Sequence, residues 1–245
     1  MAGTAFYERA VALDKAAHQG LRMRMLPSHF AFARAANAFP LAASEFAEAG
    51  RHYPIVFIGD EASGFHAAAL LGLEEGVNLF VSPTGEWQQE AYIPAFARRY
   101  PFALGTEPGQ DGLVVYVDES YQGLNQEDGL ALFEDGQESD YLKQMVSFLN
   151  ALNRELEACR QACAKLHQLG LLTARTITIT QEGQNRRLGG FWVVDDEKYA
   201  SLGDEVIVEL HRSGILRMIE LHLASLGCVQ RLAQRLEQSP QVVRH

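Results

Sequence analysis

Long apolar runs are missing from this chain: no uncharged stretch approaches the roughly 18 to 20 residues that a membrane-spanning helix needs. Cysteine is scarce, and Cys159, Cys163 and Cys228 make an odd count of 3. So few thiols in 245 residues exclude a disulfide framework and fit a reducing compartment. A basic-then-apolar leader is absent too, since residues 1–20 scatter Glu8, Arg9, Asp14 and Lys15 among small side chains. These absences predict a cytoplasmic protein without a membrane span. Positive charge is in deficit, 21 Lys and Arg against 31 Asp and Glu for a net −10, which removes any global attraction to nucleic acid. No Gly-x-Gly-x-x-Gly, Gly-x-x-x-x-Gly-Lys or Gly-x-Ser-x-Gly occurs, so the motif arguments for a dinucleotide, a nucleoside triphosphate or a serine hydrolase have nothing to rest on. No cofactor is expected.

Hydrophobic residues make up 47 % of the chain, enough for a substantial core. With no repeat, low-complexity tract or long linker, residues 1–245 read as a single α+β domain. Its sheet is expected to be mostly antiparallel, built from hairpins, and packed against a long central helix and C-terminal helices. Residues 21–26 alternate apolar and basic as a half-exposed strand would, and 41–49 read as a short helix stopped by Gly50. Pro54 opens a β-branched strand that closes at Gly59-Asp60. Residues 65–73 and 77–82, separated by Glu74-Glu75-Gly76, form an expected hairpin, although Ala67-Ala68-Ala69 would also serve a helix. Residues 92–99 predict a helix with Pro94 in its first turn, 113–117 a strand, and 120–135 an exposed acidic loop. From Glu138, Met145, Leu149, Leu152, Leu156, Cys159, Cys163 and Leu166 step by fours and threes, the seam of a long helix that Gly170 stops. Residues 175–180 and 188–194 make a second hairpin around a turn at 182–185, and 206–235 read as helix broken near Ser213-Gly214.

Several side chains invite a chemical reading. Cys159, Cys163 and His167 share a helix face, but zinc wants four ligands, and cysteines on an apolar seam behave as small hydrophobes, so no metal is expected. His211 and His222 form no metal motif and read as surface or packing residues. Arg98 and Arg99, beside Tyr92 and Tyr100, offer guanidinium forks for a carboxylate or phosphate. Adjacent helical residues point about 100° apart, so at most one of the two faces a given pocket. Asp118 and Glu119 at a strand end offer a carboxylate, with Glu45 or Glu90 as partner. Gly189-Gly190 reads as a bulge.

Taken together, Phe30-x-Phe32-Ala33, Pro40-Leu41 with Glu45, Tyr53-Pro-Ile-Val-Phe57, Leu71-Gly-Leu73, Asn78-Leu-Phe-Val81, Gly85-Glu-Trp87, Tyr92-Ile-Pro-Ala-Phe96, Arg98-Arg-Tyr-Pro-Phe102, Val117-Asp-Glu119 and Gly190-Phe191 resemble the bacterial SapC-like family over nearly the full length. The family takes its name from a gene cluster for a surface layer. Other members lie near TonB-dependent receptors, flavin-dependent tryptophan halogenases and cupin-like proteins. The resemblance therefore implies an accessory protein linked to surface-layer or uptake systems, and it supplies no catalytic residue set. Trp87, Tyr92, Arg98, Arg99 and Asp118 stand as candidates for binding a protein partner, with a homo-oligomer left open. The alternative is an enzyme acting on a small anionic or peptide substrate, with Arg98 or Arg99 as its anchor and Asp118 or Glu119 titrating.

Overall fold

The computed structural model describes residues 6–107, 109, 112–181 and 184–238. In chain order it begins with β1 (Ala10–Ala12), the single turn α1 (Lys15–His18), β2 (Arg22–Met23), β3 (Ala38–Pro40) and α2 (Phe46–Ala49). Then come β4 (Ile55–Asp60), β5 (Gly64–Leu70), α3 (Ala95–Arg98), β6 (Phe102–Gly105) and β7 (Val114–Asp118). Four two-residue strands follow: β8 (Leu124–Asn125), β9 (Leu130–Ala131), β10 (Phe133–Glu134) and β11 (Gln137–Glu138). The 29-residue α4 (Asp140–Gln168) leads to β12 (Leu172–Gln181) and β13 (Gln184–Val194). Helices α5 (Asp196–Ala200), α6 (Asp204–Arg212), α7 (Ile215–Ser225) and α8 (Cys228–Gln238) close the chain. Every named strand pairs antiparallel, so the fold is α+β with hairpin-built sheets and a long helix, as expected.

Two compact units share the chain. The first comprises residues 1–33, 81–87 and 95–154. It holds the sheet β1-β7-β6, the sheet β8-β2-β9 and the β10-β11 hairpin. Phe102, Val117, Leu132 and Leu142 are fully enclosed at its core, with Met23, Tyr100, Tyr121, Phe133 and Leu149 around them. The second comprises residues 34–80, 88–94 and 155–245. Its sheet runs β12-β13-β4-β5-β3, over a core that includes Phe39, Phe46, Tyr53, Ile55, Phe57, Leu71 and Leu166.

Helix α4 follows the predicted seam: Leu149, Leu152, Cys159, Cys163 and Leu166 are buried, and Met145 and Leu156 half-buried. Ser139 caps it, its Oγ accepting from the Leu142 N–H at 3.2 Å. At the other end Gly170, with φ +68°, lets the Leu171 N–H reach back to the Leu166 carbonyl at 3.0 Å. Gly190, with φ +82°, sits where the β12-β13 register shifts, so the glycine pair is the bulge its composition predicts. The central residues 182 and 183 of the expected turn lie outside the described residues.

Three expectations are corrected. The hairpin does not join 65–73 to 77–82. Strand β5 instead folds back on β4 through a turn in which Asp60 Oδ1 accepts from the Ala62 N–H at 2.9 Å and the Ser63 N–H at 2.7 Å. Gly59 is required there, because a Cβ would stand 2.0 Å from the Gly64 carbonyl oxygen. The alanine triplet is therefore strand, paired with β4 on one side and β3 on the other, and residues 77–80 run as irregular chain held by the Asn78 N–H to the Arg34 carbonyl at 2.9 Å. Residues 120–135 are not an exposed loop: Tyr121, Leu132 and Phe133 belong to the core, and short strands thread between the acidic positions. The helix expected over 92–99 is only the turn α3, since Pro94 disfavours helical backbone at Ile93 before it.

In the second unit the β4-β13 ladder stops at Phe57↔Trp192 and Ile58↔Phe191. Beyond it α7 supplies the missing partners. His222 Nε2 accepts from the Val194 N–H at 3.0 Å, while its Nδ1–H donates to the Ile55 carbonyl at 2.9 Å. Ser225 Oγ accepts from the Ile55 N–H at 2.9 Å and donates to the His222 carbonyl at 2.6 Å. Accepting at Nε2 requires a neutral ring, and burial lowers the His222 pKa from 6.5 to about 4. His222 is thus a packing residue, while His211 is exposed.

A lowered histidine pKa stabilises the fold above the unfolded value and is lost as pH falls toward the folded one. Stability is predicted to drop between pH about 6.5 and about 4, His222 contributing ~3 kcal/mol of the loss. Urea unfolding of wild type and His222→Phe across that range checks it: the variant starts less stable and loses less on acidification.

Candidate functional site

The structure brings Arg99 and Asp118 near Tyr7 in the first unit. Arg99 is buried, its guanidinium carbon 3.7 Å from the centre of the Phe96 ring, and it hydrogen-bonds the Tyr7 hydroxyl. That hydroxyl donates to the Phe102 carbonyl at 2.6 Å. Burial pushes the Tyr7 pKa up to about 12 against the pull of Arg99, and lowers that of Arg99.

Asp118 ends β7 fully enclosed. Its Oδ1 accepts from the Arg9 N–H at 3.0 Å, the Ser120 N–H at 3.1 Å and the Ser120 hydroxyl at 2.6 Å. Its Oδ2 accepts from the Glu8 N–H at 3.2 Å and the Tyr100 hydroxyl at 3.3 Å. Burial alone would raise this carboxyl, but the hydrogen bonds from Ser120, Arg9 and Glu8 outweigh it and hold the pKa below the usual range. An ionised carboxylate with five donors is a structural anion, poorly placed to take a proton from a substrate. Burial and the Asp118 charge drive the Tyr100 phenol up.

Phe32, quoted above only as part of the family motif, and His29 and Tyr121, which the sequence reading passed over, complete this cluster. Phe32 stacks on Tyr100 at 4.0 Å, and His29 and Tyr121 meet it edge-on at 5.6 and 5.3 Å. The Tyr121 hydroxyl accepts from the Leu26 N–H at 3.0 Å and lies 2.8 Å from His29 Nδ1. Burial lowers the His29 pKa to about 4, so this ring too is neutral. Glu119 bridges His18 Nε2 and Arg9 Nε, each at 3.1 Å.

The other candidates separate. Trp87 is buried, edge-on to Phe30 at 5.4 Å, beside a turn where Gly85 leaves room for Ala31 and Ser28. Arg98 is exposed, 5.6 Å from the centre of the Phe148 ring. Tyr92 belongs to the second unit, as do Glu45 and Glu90, and its hydroxyl donates to Glu45 Oε1 at 2.9 Å. Cys159 and Cys163 lie in the seam of α4, while His167 packs on Phe65 at 4.8 Å. Among the described residues no group of three or more His, Cys, Asp or Glu is placed to hold a metal.

The first unit also holds a cavity of about 530 Å³, within the range of ligand sites, about 300–1,000 Å³. Leu13, Val115, Phe133 and Val146 supply an apolar floor, and Lys15, Lys143 and Glu138 its charged lining. Asp14 caps α1 and so fixes Lys15, its carboxylate accepting from the Ala17 N–H at 2.8 Å. Left-handed Asp135 and Gly136, φ +48° and +70°, make the tight β10-β11 turn, and a Cβ on Gly136 would lie 3.7 Å from Lys15 Nζ. Lys143 reaches the exposed Asp140 at 3.4 Å. The sequence carried a local signal for each half, a capped Lys15 and an Asp-Gly turn, but none that joined them.

A SapC family model matches residues 13–232. No curated protein and no solved structure matches the chain.

Asp118→Asn replaces an acceptor with a donor among donors and is expected to cost ~2–4 kcal/mol in urea unfolding. Arg98→Ala, at an exposed site, is expected to cost no more than about 1 kcal/mol. Equal losses would contradict the structural role given to Asp118.

Proposed function

The chain belongs to the SapC family, matched over residues 13–232, and from that premise we propose that it is an accessory binding protein acting on a protein partner. The observation that carries this reading is the cavity with its apolar floor and a charged lining in which two ammonium groups, Lys15 and Lys143, outnumber one carboxylate, Glu138. On a chain of net charge −10, a local pair of lysines over apolar surface selects a segment that presents an apolar side chain and a negative charge together. Asp118 and Arg99 support the same reading from the other direction, being held by Tyr7, Tyr100, Ser120 and backbone donors. An enzyme that used them would first have to break those bonds. On this reading the partner belongs to a surface-layer or TonB-dependent uptake system, as the family resemblance implies, and this chain works in the cytoplasm.

Tagged wild-type protein, Lys15→Glu/Lys143→Glu and Arg98→Ala, each expressed in the native host, test the proposal by what co-purifies. The expected result is one partner held by wild type and by Arg98→Ala, and recovered at least tenfold less with the double variant. Loss with Arg98→Ala alone would move the surface to α3 and overturn the cavity reading; no partner with any of the three would overturn the binding role.

A further inference from the structure

The five-stranded sheet of the second unit ends on β12, whose outer edge pairs with no other strand among the described residues. Edge strands carry free N–H and C=O groups that accept any strand offered, and they are ordinarily guarded by shortness, by Lys or by Pro. The opposite edge follows that rule, since β3 has 3 residues and ends in Pro40, which brings no N–H. β12 has neither guard. It runs for 10 residues without Pro, Lys, Asp or Glu, Arg175 is its one charge, and Ala174, Arg175, Thr176 and Thr178 are exposed.

The strand also outruns its support. β4 pairs with β13 only at Phe191 and Trp192, so beyond the bulge residues 177–181 and 184–188 have only each other as strand partners among the described residues. A two-stranded ribbon is marginal in water by itself, and further strands are what stabilise it.

The mate that fits this edge is a second copy of it. Thr176-Ile177-Thr178-Ile179-Thr180 reads the same in both directions, and an antiparallel mate runs in the opposite direction. A two-fold axis through Thr178 therefore sets Thr178 opposite its copy, Ile177 opposite Ile179 and Thr176 opposite Thr180. Pairs of threonine and pairs of β-branched residues are favourable across strands. Arg175 falls opposite Gln181, so no like charges meet on this edge of a chain whose net charge is −10. An axis through Arg175 would oppose two guanidinium groups, and one through Ile177 would set Arg175 opposite Ile179.

We propose that β12 is a self-association edge, through which two copies of the chain pair antiparallel about Thr178 and join their five-stranded sheets into one. The edge belongs to the second unit and the proposal does not depend on the lysine cavity of the first. One shared ladder is small against the ~1,200–2,000 Å² of a stable interface, so the dimer is expected to form with rising concentration.

Sedimentation velocity of the full chain over a concentration series tests it. Wild type is expected to pass from monomer to dimer. Thr178→Glu, which opposes two carboxylates at the axis, is expected to raise the dimer dissociation constant at least tenfold with unchanged circular dichroism. Mild oxidation of Thr178→Cys reads the register, because directly opposed Cβ atoms stand ~4.5–5.5 Å apart, close to the ~3.5–4.5 Å that a disulfide spans. Two copies of Ala174→Cys would stand ~25 Å apart. A covalent dimer is expected from Thr178→Cys and not from Ala174→Cys, the native cysteines being buried. Wild type that stays monomeric throughout the series overturns the proposal, as does a dimer indifferent to Thr178→Glu or equal cross-linking at the two positions.

Discussion

A neutral His222 stands where the ladder between β4 and β13 stops, bridging the Val194 N–H to the Ile55 carbonyl while Ser225 takes the Ile55 N–H. Without these bonds two strand ends would be buried with unpaired backbone groups, at a cost of ~1–3 kcal/mol each. The same solution recurs within each unit. Asp118 takes the Glu8 and Arg9 N–H groups, Tyr121 that of Leu26, Glu45 that of Ala42 and Ser139 that of Leu142. Strands here are short, several of only two residues, so ladders end often and side chains must finish them.

This constraint decides between the functional readings. Buried histidine, aspartate, tyrosine and arginine with shifted pKa values are the signature of many active sites. In this chain the shifts have structural causes: desolvation of rings and phenols, and backbone donors around a carboxylate. Side chains occupied in holding the backbone are poor candidates for chemistry. A cavity such as the one lined by Lys15, Lys143 and apolar side chains is where a ligand has room.

The long helix, its seam and both its ends were legible in the sequence, because period, cap and glycine stop all lie within one continuous segment. So were β4, the second hairpin and the break at Ser213-Gly214, although the second break, between α7 and α8, was not. The first hairpin was not, because Asp60 makes its turn through side-chain bonds that resemble an ordinary loop, and because alanine fits a tight strand as well as a helix. Residues 120–135 were misread since their acidic composition hides the buried Leu132 and Phe133, the first between two strands and the second in a two-residue strand too short to show a period. Of the candidate residues, Arg99 and Asp118 meet at Tyr7, a residue whose sequence context carried no signal. The lysine cavity depends on the capping of α1, the turn at Gly136 and the first turns of α4 at once, which no single segment reveals.

Native-state hydrogen exchange tests the central claim most directly, read at the Arg9, Leu26, Ile55 and Val194 amides, which side chains rather than strand partners satisfy. If these bonds complete the fold, all four exchange only through opening of the surrounding core, with protection near that of ladder amides. Exchange as fast as that of exposed loop amides would contradict it and return Asp118 and His222 to the list of groups free for chemistry.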